Sequence, residues 1–174
     1  MAELLSHVLA AYVLFTALGW VIEWLEPRWV VVGMVGALLP DLNRIGMAID
    51  SSLIESLLGV PFSWGAIHTL GSLVLLSLAG AMLFGTASER RRAFALLVAG
   101  GVSHLALDAL KGWADGFNGA YLYPLSWWRN PTPGWYVSTD RWVLGVALAC
   151  SVVVFLVDRR AAIREKVRSS RPRT

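Results

Sequence analysis

The sequence has a single cysteine, Cys150, which lies in an apolar run. One cysteine excludes an intrachain disulfide and a zinc site built from several cysteines. Charged residues are also scarce, at 16% of the chain, whereas soluble domains carry about 25%. Because 56% of the 174 residues are hydrophobic, the composition predicts an integral membrane protein rather than a soluble one.

Apolar runs separated by polar turns divide the chain into membrane elements. Four runs approach the roughly 20 residues that a spanning helix needs: 4–25, 62–84, 93–110 and 142–157. The run 29–39 is shorter and is predicted to be a short or re-entrant element, and 45–58 is predicted to be an interfacial amphipathic helix. We therefore predict an all-α fold, a polytopic bundle of four to five transmembrane helices over 1–158, with a basic cytoplasmic tail over 159–174.

The basic residues are distributed unevenly if these five elements alternate in direction. Eleven of the fifteen lysines and arginines then share one side: Arg28, Arg90, Arg91, Arg92, Arg159, Arg160, Arg164, Lys166, Arg168, Arg171 and Arg173. The other side receives Arg44, Lys111, Arg129 and Arg141. The positive-inside rule predicts an outer N-terminus and a cytoplasmic C-terminus. We expect the basic tail to bind anionic membrane lipids rather than nucleic acid.

A histidine and an aspartate stand four residues apart in the fourth apolar run. Residues at this spacing share a helix face, so His104 and Asp108 are expected to face the same volume. Ionisable side chains within a membrane segment are costly and mark a candidate functional site.

The predicted topology places the other two histidines and a second carboxylate at the same, outer end. They are His7 in the first run, Asp41 after the second and His68 in the third. Three imidazoles and two carboxylates form a ligand set suited to a divalent metal ion, zinc or, less specifically, iron or manganese. Helical bundles build metal sites in this way, from residues on several helices.

Each of these residues also has a simpler possible role. His7 suits a membrane interface, and Asp41 suits a helix N-cap. His68 suits a hydrogen bond to a neighbouring helix. Asp108 can orient the His104 ring without any metal.

Short motifs in a fixed order carry a family resemblance. They are Ser6–His7, Ala37–Leu–Leu–Pro–Asp41–Leu–Asn43, Gly65–Ala–Ile–His68–Thr69, Ser103–His104–Leu–Ala–Leu–Asp108–Ala–Leu and Tyr121–Leu–Tyr–Pro–Leu–Ser–Trp127. Over roughly residues 6 to 128 the chain resembles the membrane-bound metal-dependent hydrolases related to the bacterial inner-membrane YdjM-type proteins. The resemblance implies a hydrolase whose metal ligands are His7, Asp41, His68, His104 and Asp108.

The sequence departs from that family pattern at two places. Asn43 stands where the pattern has a second aspartate, and Ser63–Trp64 stands where it has His–Arg. These departures count against a second metal ion, and they also count against hydrolase activity.

The implied activity is metal-assisted hydrolysis at the outer membrane–water interface. The metal ion lowers the pKa of a water molecule toward about 7, and Asp41 or Asp108 is the candidate catalytic base. An interfacial site predicts an amphiphilic substrate, a lipid or a phosphoester. The alternative is a degenerate, non-catalytic protein that binds metal or lipid. A metal-ion transporter ranks third, because its polar groups would be expected at the midplane and on both sides.

Overall fold

The computed structural model describes residues 2–169. Within them the chain forms six α-helices and two 3-10 helices, with no strand. The α-helices are α1 (Ala2–Gly19), α2 (Pro27–Gly36), α3 (Ser51–Leu58), α4 (Leu70–Ala81), α5 (Ala87–Asp108) and α6 (Arg141–Ser169). The first 3-10 helix is Pro40–Met47 and the second is Trp64–Ile67. The prediction of an all-α fold is confirmed.

Helix α5 is the centre of the molecule. It packs on α2 and α4, while α1 packs on α2 and α6. Phe15 of α1, Trp29 of α2 and Leu96 of α5 belong to one buried apolar cluster. A second cluster joins Leu73 of α4 to Leu105 of α5. The first cluster holds the N-terminal half of α5 and the second holds its C-terminal half.

Glycine allows α2 and α5 to approach each other closely. A Cβ atom on Gly100 would meet the Gly33 carbonyl oxygen and would lie 2.8 Å from the Ala37 nitrogen. Small residues of this kind bring membrane helices into backbone contact. His104 follows Gly100 by one turn of α5, so the same close approach brings its ring to the end of α2.

The helices are shorter than the apolar runs predict. Among the described residues, only Arg141–Ala161 of α6 is long and apolar enough to cross a membrane as one straight helix. The pair Pro27–Gly36 and Pro40–Met47, bent by 51°, is a second candidate if it counts as one broken span. Helices α1 and α4 are apolar but too short to qualify. The predicted four to five spans are therefore not confirmed.

The ends of the shorter helices have local causes. Helix α1 stops at Gly19, and α2 restarts at Pro27, whose ring suits the first position of a helix. Helix α4 starts only at Leu70, because the Thr69 side chain accepts a hydrogen bond from the Ser72 backbone N–H and caps it. The predicted interfacial helix 45–58 is divided into the end of the first 3-10 helix and α3, which Asp50 caps.

Helices α1, α2, α4, α5 and α6 alternate in direction, which gives the bundle two unlike ends. At one end, which we call the basic end, the Trp20 indole N–H donates to Asp158 Oδ1 at 3.3 Å. The Arg92 guanidinium lies 5.1 Å from the Trp24 ring centroid at the same end. We call the opposite end, where α1 starts and α5 ends, the histidine end. The predicted domain boundary after residue 158 falls inside α6, which continues to Ser169.

Candidate metal centre

All three histidines of the chain surround one carboxylate at the histidine end. His7 comes from α1, His68 follows the second 3-10 helix, and His104 comes from α5. Their Nε2 atoms lie 3.4, 2.8 and 3.4 Å from the nearer oxygen of Asp108. The His7 and His104 rings are stacked, with centroids 4.0 Å apart. The carboxylate thus lies at the centre of a cluster formed by three separate parts of the chain.

The other ring nitrogen of each histidine faces a backbone carbonyl oxygen. The Nδ1 pairs are His7 with Glu3 at 2.8 Å, His68 with Pro40 at 3.2 Å and His104 with Ala37 at 2.7 Å. Since a carbonyl oxygen can only accept, each Nδ1 carries the proton and donates it. In the neutral rings the Nε2 lone pairs therefore face Asp108. A backbone carbonyl behind each ring is the arrangement that orients histidine ligands in metal sites.

Asp41 brings a second carboxylate to this cluster. His7, Asp41 and His104 form one group whose ligand atoms all lie within 4.8 Å of one another. His68, His104 and Asp108 form another such group. His104 belongs to both. The structure therefore brings together all five residues that the sequence singled out.

The donor atoms of this cluster fit a divalent cation. His7 Nε2, His104 Nε2, Asp41 Oδ2 and Asp108 Oδ1 are buried and have no hydrogen-bond partner. Only 1% of His104 and 4% of Asp108 is exposed. Buried polar atoms without partners are costly, and a cation together with a water molecule between them would satisfy all four. Nitrogen and carboxylate oxygen atoms in such a set suit zinc.

The structure also tests the simpler roles. Asp41 is not the N-cap of the first 3-10 helix, because Leu39 occupies that position. Its Oδ1 atom instead accepts a hydrogen bond from Arg44 Nε at 2.9 Å. His68 does contact a neighbouring helix, because its Nε2 atom lies 2.8 Å from Asp108 Oδ2 of α5. That contact uses the same Nε2 atom that a metal ion would.

The two departures from the family pattern differ in their placement. Asn43 lines the cavity above the cluster. Ser63 caps the second 3-10 helix, because its Oγ accepts a hydrogen bond from the Gly65 N–H at 3.2 Å. The Trp64 indole N–H donates to the Ile49 carbonyl at 2.7 Å. Neither Ser63 nor Trp64 lines the cavity, so they supply no replacement ligand.

The cluster lies at the floor of an open cavity of about 670 Å³, which we call the polar cavity. Three cationic side chains line it: Arg44, Lys111 and Arg129. The sequence placed them on the less basic side of the membrane and did not single them out as site residues. Four carboxylates also line it: Glu3, Asp41, Asp108 and Asp115. The opening is therefore suited to an anionic ligand when a divalent cation is bound at its floor.

Glu3 organises two of these cations. Its carboxylate forms an ion pair with Lys111 Nζ and lies 3.6 Å from Arg44 Nη2. Lys111 is only 6% exposed, and its ammonium lies 4.1 Å from the Trp113 ring centroid. Glu3 also supplies the carbonyl that accepts from His7. This one residue therefore links the histidine cluster to the charges around it.

The third cation belongs to the loop between α5 and α6. Arg129 donates to Asp115 Oδ2 at 2.6 Å and to the Asn118 carbonyl at 2.7 Å. The Arg129 side chain holds the pKa of Asp115 below its ordinary value, because it hydrogen-bonds the ionised carboxylate. Asn118 is fully buried and donates to the Ala109 carbonyl. The loop is thereby fixed to the end of α5, with Arg129 facing the cavity.

Helical spacing could have identified most of the missed residues. Glu3 precedes His7 by four positions, Arg44 follows Asp41 by three, and Lys111 follows Asp108 by three. The i to i+4 reasoning that paired His104 with Asp108 applies to each of them. Arg129 has no such signal, since it reaches the cavity through a folded loop.

Comparison with known proteins now places the chain in a family. The family model described as YdjM inner membrane protein matches residues 1–168. The chain belongs to the YdjM family. The resemblance carried by the motifs is thus confirmed, and the family description together with α6 supports a membrane protein. No curated protein and no solved structure matches the chain.

Proposed function

We propose that this YdjM-family protein is a hydrolase that uses a divalent metal ion, zinc by its donor set, to cleave a phosphoester at the outer membrane–water interface. One observation carries the proposal. Three imidazole nitrogens and two carboxylates meet at the floor of a cavity that three cations line. The ligand set alone would indicate only metal binding, and the cations alone would indicate only anion binding; together they support metal-dependent cleavage of a phosphoester.

The two carboxylates would have different roles, Asp108 as a metal ligand and Asp41 as the catalytic base. His7, His68, His104 and Asp108 would hold the metal ion, because Asp108 is surrounded by the three rings. When bound, the ion supplies a Lewis acid that lowers the pKa of water toward about 7 and polarises a phosphoryl oxygen. Asp41 would be the catalytic base, since Arg44 holds its Oδ1 atom while Oδ2 has no hydrogen-bond partner.

The reaction balances with water as the only co-reactant. Asp41 Oδ2 takes a proton from water as the water oxygen bonds to phosphorus. The phosphorus–oxygen ester bond breaks, and the leaving oxygen departs as an alcohol after receiving the proton that Asp41 took, which returns Asp41 to its ionised form. Arg44, Lys111 and Arg129 would hold the phosphate, because charged N–H donors bind its oxygen atoms strongly. The phosphate supplies negative charge to this cavity.

The membrane topology is part of the proposal. We place the histidine end outside and the basic end in the cytoplasm, with the chain crossing more than once. Support comes from Arg28 and Arg92, which lie at the same end as the Trp20–Asp158 contact. A cytoplasm-dependent reporter fused after Thr174 should be active, and the same reporter inserted at Gly116 should be silent. Reporter activity at Gly116 would contradict the proposed orientation and place the histidine end in the cytoplasm.

A second candidate function is metal or lipid binding without catalysis. Asn43 lines the cavity at a position where the family pattern has a carboxylate. The Ser63 and Trp64 side chains form hydrogen bonds outside the cavity. Fewer ligands are then available for a second metal ion. This candidate keeps the five-residue cluster and removes only the chemical step.

Hydrolysis of a soluble probe separates the two candidates. The purified chain, loaded with zinc, is assayed with p-nitrophenyl phosphate beside Asp41→Asn. Removing a catalytic base should lower kcat by about 10²–10⁴, with zinc still bound. Asp158→Asn is the matched control and should leave kcat unchanged, because Asp158 lies at the basic end, where it accepts a hydrogen bond from Trp20. Zinc binding without hydrolysis by the wild type would favour the non-catalytic candidate.

A further inference from the structure

A second opening lies beside the metal centre, between α1 and α6. Its volume is about 370 Å³, and we call it the apolar groove. Most of its lining is aliphatic. From α1 it takes Ala10, Val13 and Leu14, and from α6 it takes Val143, Val146 and Ala147.

The apolar groove and the polar cavity meet at the metal centre. Glu3 and His7 line both of them. His7 contacts Asp108 on the cavity side. A molecule that filled both spaces would therefore have a polar part on the histidines and cations, and an apolar part beside α6.

The groove also faces the helix best suited to contact lipid. Val143, Val146, Ala147 and Cys150 follow the i, i+3, i+4, i+7 pattern of one helix face. They belong to the candidate span Arg141–Ala161, of which little is buried within the protein. A chain from the membrane would reach the groove without crossing water.

We propose that the apolar groove holds one acyl chain of a phospholipid whose phosphate lies in the polar cavity. The proposal rests on the proposed function and names its substrate class. A water-soluble phosphate ester has no apolar part that would fill the apolar groove. A membrane lipid has both a phosphate for the polar cavity and an acyl chain for the groove. The charge of the polar cavity indicates where the phosphate would lie, since a divalent cation together with Arg44, Lys111 and Arg129 outweighs the four carboxylates that line it. The aliphatic lining of the groove indicates where the acyl chain would lie.

Photo-crosslinking tests this occupancy without requiring turnover. The zinc-loaded full-length chain is placed in phosphatidylcholine nanodiscs that contain a probe lipid. The probe carries a diazirine in one acyl chain and a phosphonate head group that cannot be cleaved at its carbon–phosphorus bond. The comparison probe is diacylglycerol with the same diazirine chain, and adducts are mapped by mass spectrometry.

The phosphonate probe should give about tenfold more adducts than diacylglycerol on Val143, Ala147 and Cys150, because charged hydrogen bonds hold its head group. Both probes should label Val152 and Leu156 equally, since these exposed residues contact bulk lipid. Equal labelling of the groove by the two probes would overturn the proposal.

Two tryptophan variants provide a matched pair. Ala147→Trp fills the groove from α6 and should remove most of its phosphonate adducts. Ala149→Trp places the same side chain on the exposed side of α6 and should leave them unchanged. Ala10→Phe fills the groove from α1 and should repeat the first result, which guards against misfolding of one variant. Persistent groove adducts in both filled variants would contradict the proposal.

The crosslinking result and the hydrolysis result are independent. If p-nitrophenyl phosphate and lipid phosphoesters both resist hydrolysis, the proposed function fails while the groove adducts still report lipid binding. If hydrolysis occurs and the groove adducts do not depend on the phosphonate, only the acyl-chain proposal fails.

Discussion

The two ends of the bundle use the same types of charged residue in different ways. At the histidine end, Asp108 and Lys111 are buried and lie in contact with other ionisable groups. At the basic end, Arg28 pairs with Glu26 at 3.1 Å while both side chains are more than half exposed. Burial decides how much a charged side chain contributes to the free energy of unfolding. Exposed pairs are worth about 0–1 kcal/mol, whereas a buried charge depends strongly on its partner.

The comparison is tested most strongly by removing Glu3. Glu3→Ala leaves Lys111 buried without its carboxylate partner, so we expect a loss of about 3–5 kcal/mol in the free energy of unfolding. Chemical denaturation in detergent measures it. Glu26→Ala at the basic end is the matched control and should cost no more than about 1 kcal/mol.

A double variant shows whether the loss comes from the unpaired lysine. In Glu3→Ala with Lys111→Met no buried ammonium remains, so the double variant should be more stable than Glu3→Ala alone. If the two losses simply add, the ion pair is not the cause, and the contrast between the two ends weakens.

The next largest effect is expected where α2 and α5 touch. Gly100→Val would push the Gly33 and Ala37 backbone away from α5, and the Ala37 carbonyl orients His104. We expect zinc affinity to fall about 10–100-fold, as when an outer partner of a ligand is lost. Overpacking should also cost about 1–3 kcal/mol of stability. Competition with a fluorescent zinc chelator measures the affinity.

Gly145→Val is the control for that substitution. Gly145 lies on α6, and a Cβ atom there would meet nothing within 4 Å. The same change of residue in a helix should therefore leave zinc affinity unaltered. Similar zinc losses in both variants would show that His104 does not depend on the α2–α5 contact.

The smallest effect is expected at the cap of α5, at the basic end. Thr86 and Glu89 form a capping box, so Thr86→Val should lower stability by about 1 kcal/mol without changing zinc affinity. The Thr86 backbone N–H and then its hydroxyl hold the pKa of Glu89 below its ordinary value. This contribution is present above the unfolded pKa, and it is lost as pH falls through the folded pKa. The difference between wild type and variant should thus shrink below about pH 4, and altered zinc affinity would contradict the separation of the two ends.

The candidate site was more predictable than the lengths of the helices. The His104–Asp108 pair follows from helical spacing alone. Adding His7, Asp41 and His68 required only the knowledge of which end of its element each occupies. That information survives in the structure, although α1 stops at Gly19. The depth of a residue in an alternating bundle is thus insensitive to errors in span length.

The remaining features depend on contacts that hydropathy does not describe. The start of α4 is set by a Thr69 side-chain hydrogen bond, not by the apolar run. The carbonyl partners of the three rings become visible only once α2 and the first 3-10 helix are placed. Arg129 reaches the cavity through hydrogen bonds with Asp115 and Asn118, which are residues of the same loop.

Metal content tests the central claim most directly. The chain is purified without added chelator, loaded with zinc and dialysed, and its zinc is counted by mass spectrometry beside His104→Ala and Asp108→Ala. We predict about one zinc ion per wild-type chain and at least a tenfold lower content in both variants, because each loses a ligand at the centre of the cluster. Equal zinc in the three proteins, or none in the wild type, would contradict the metal centre.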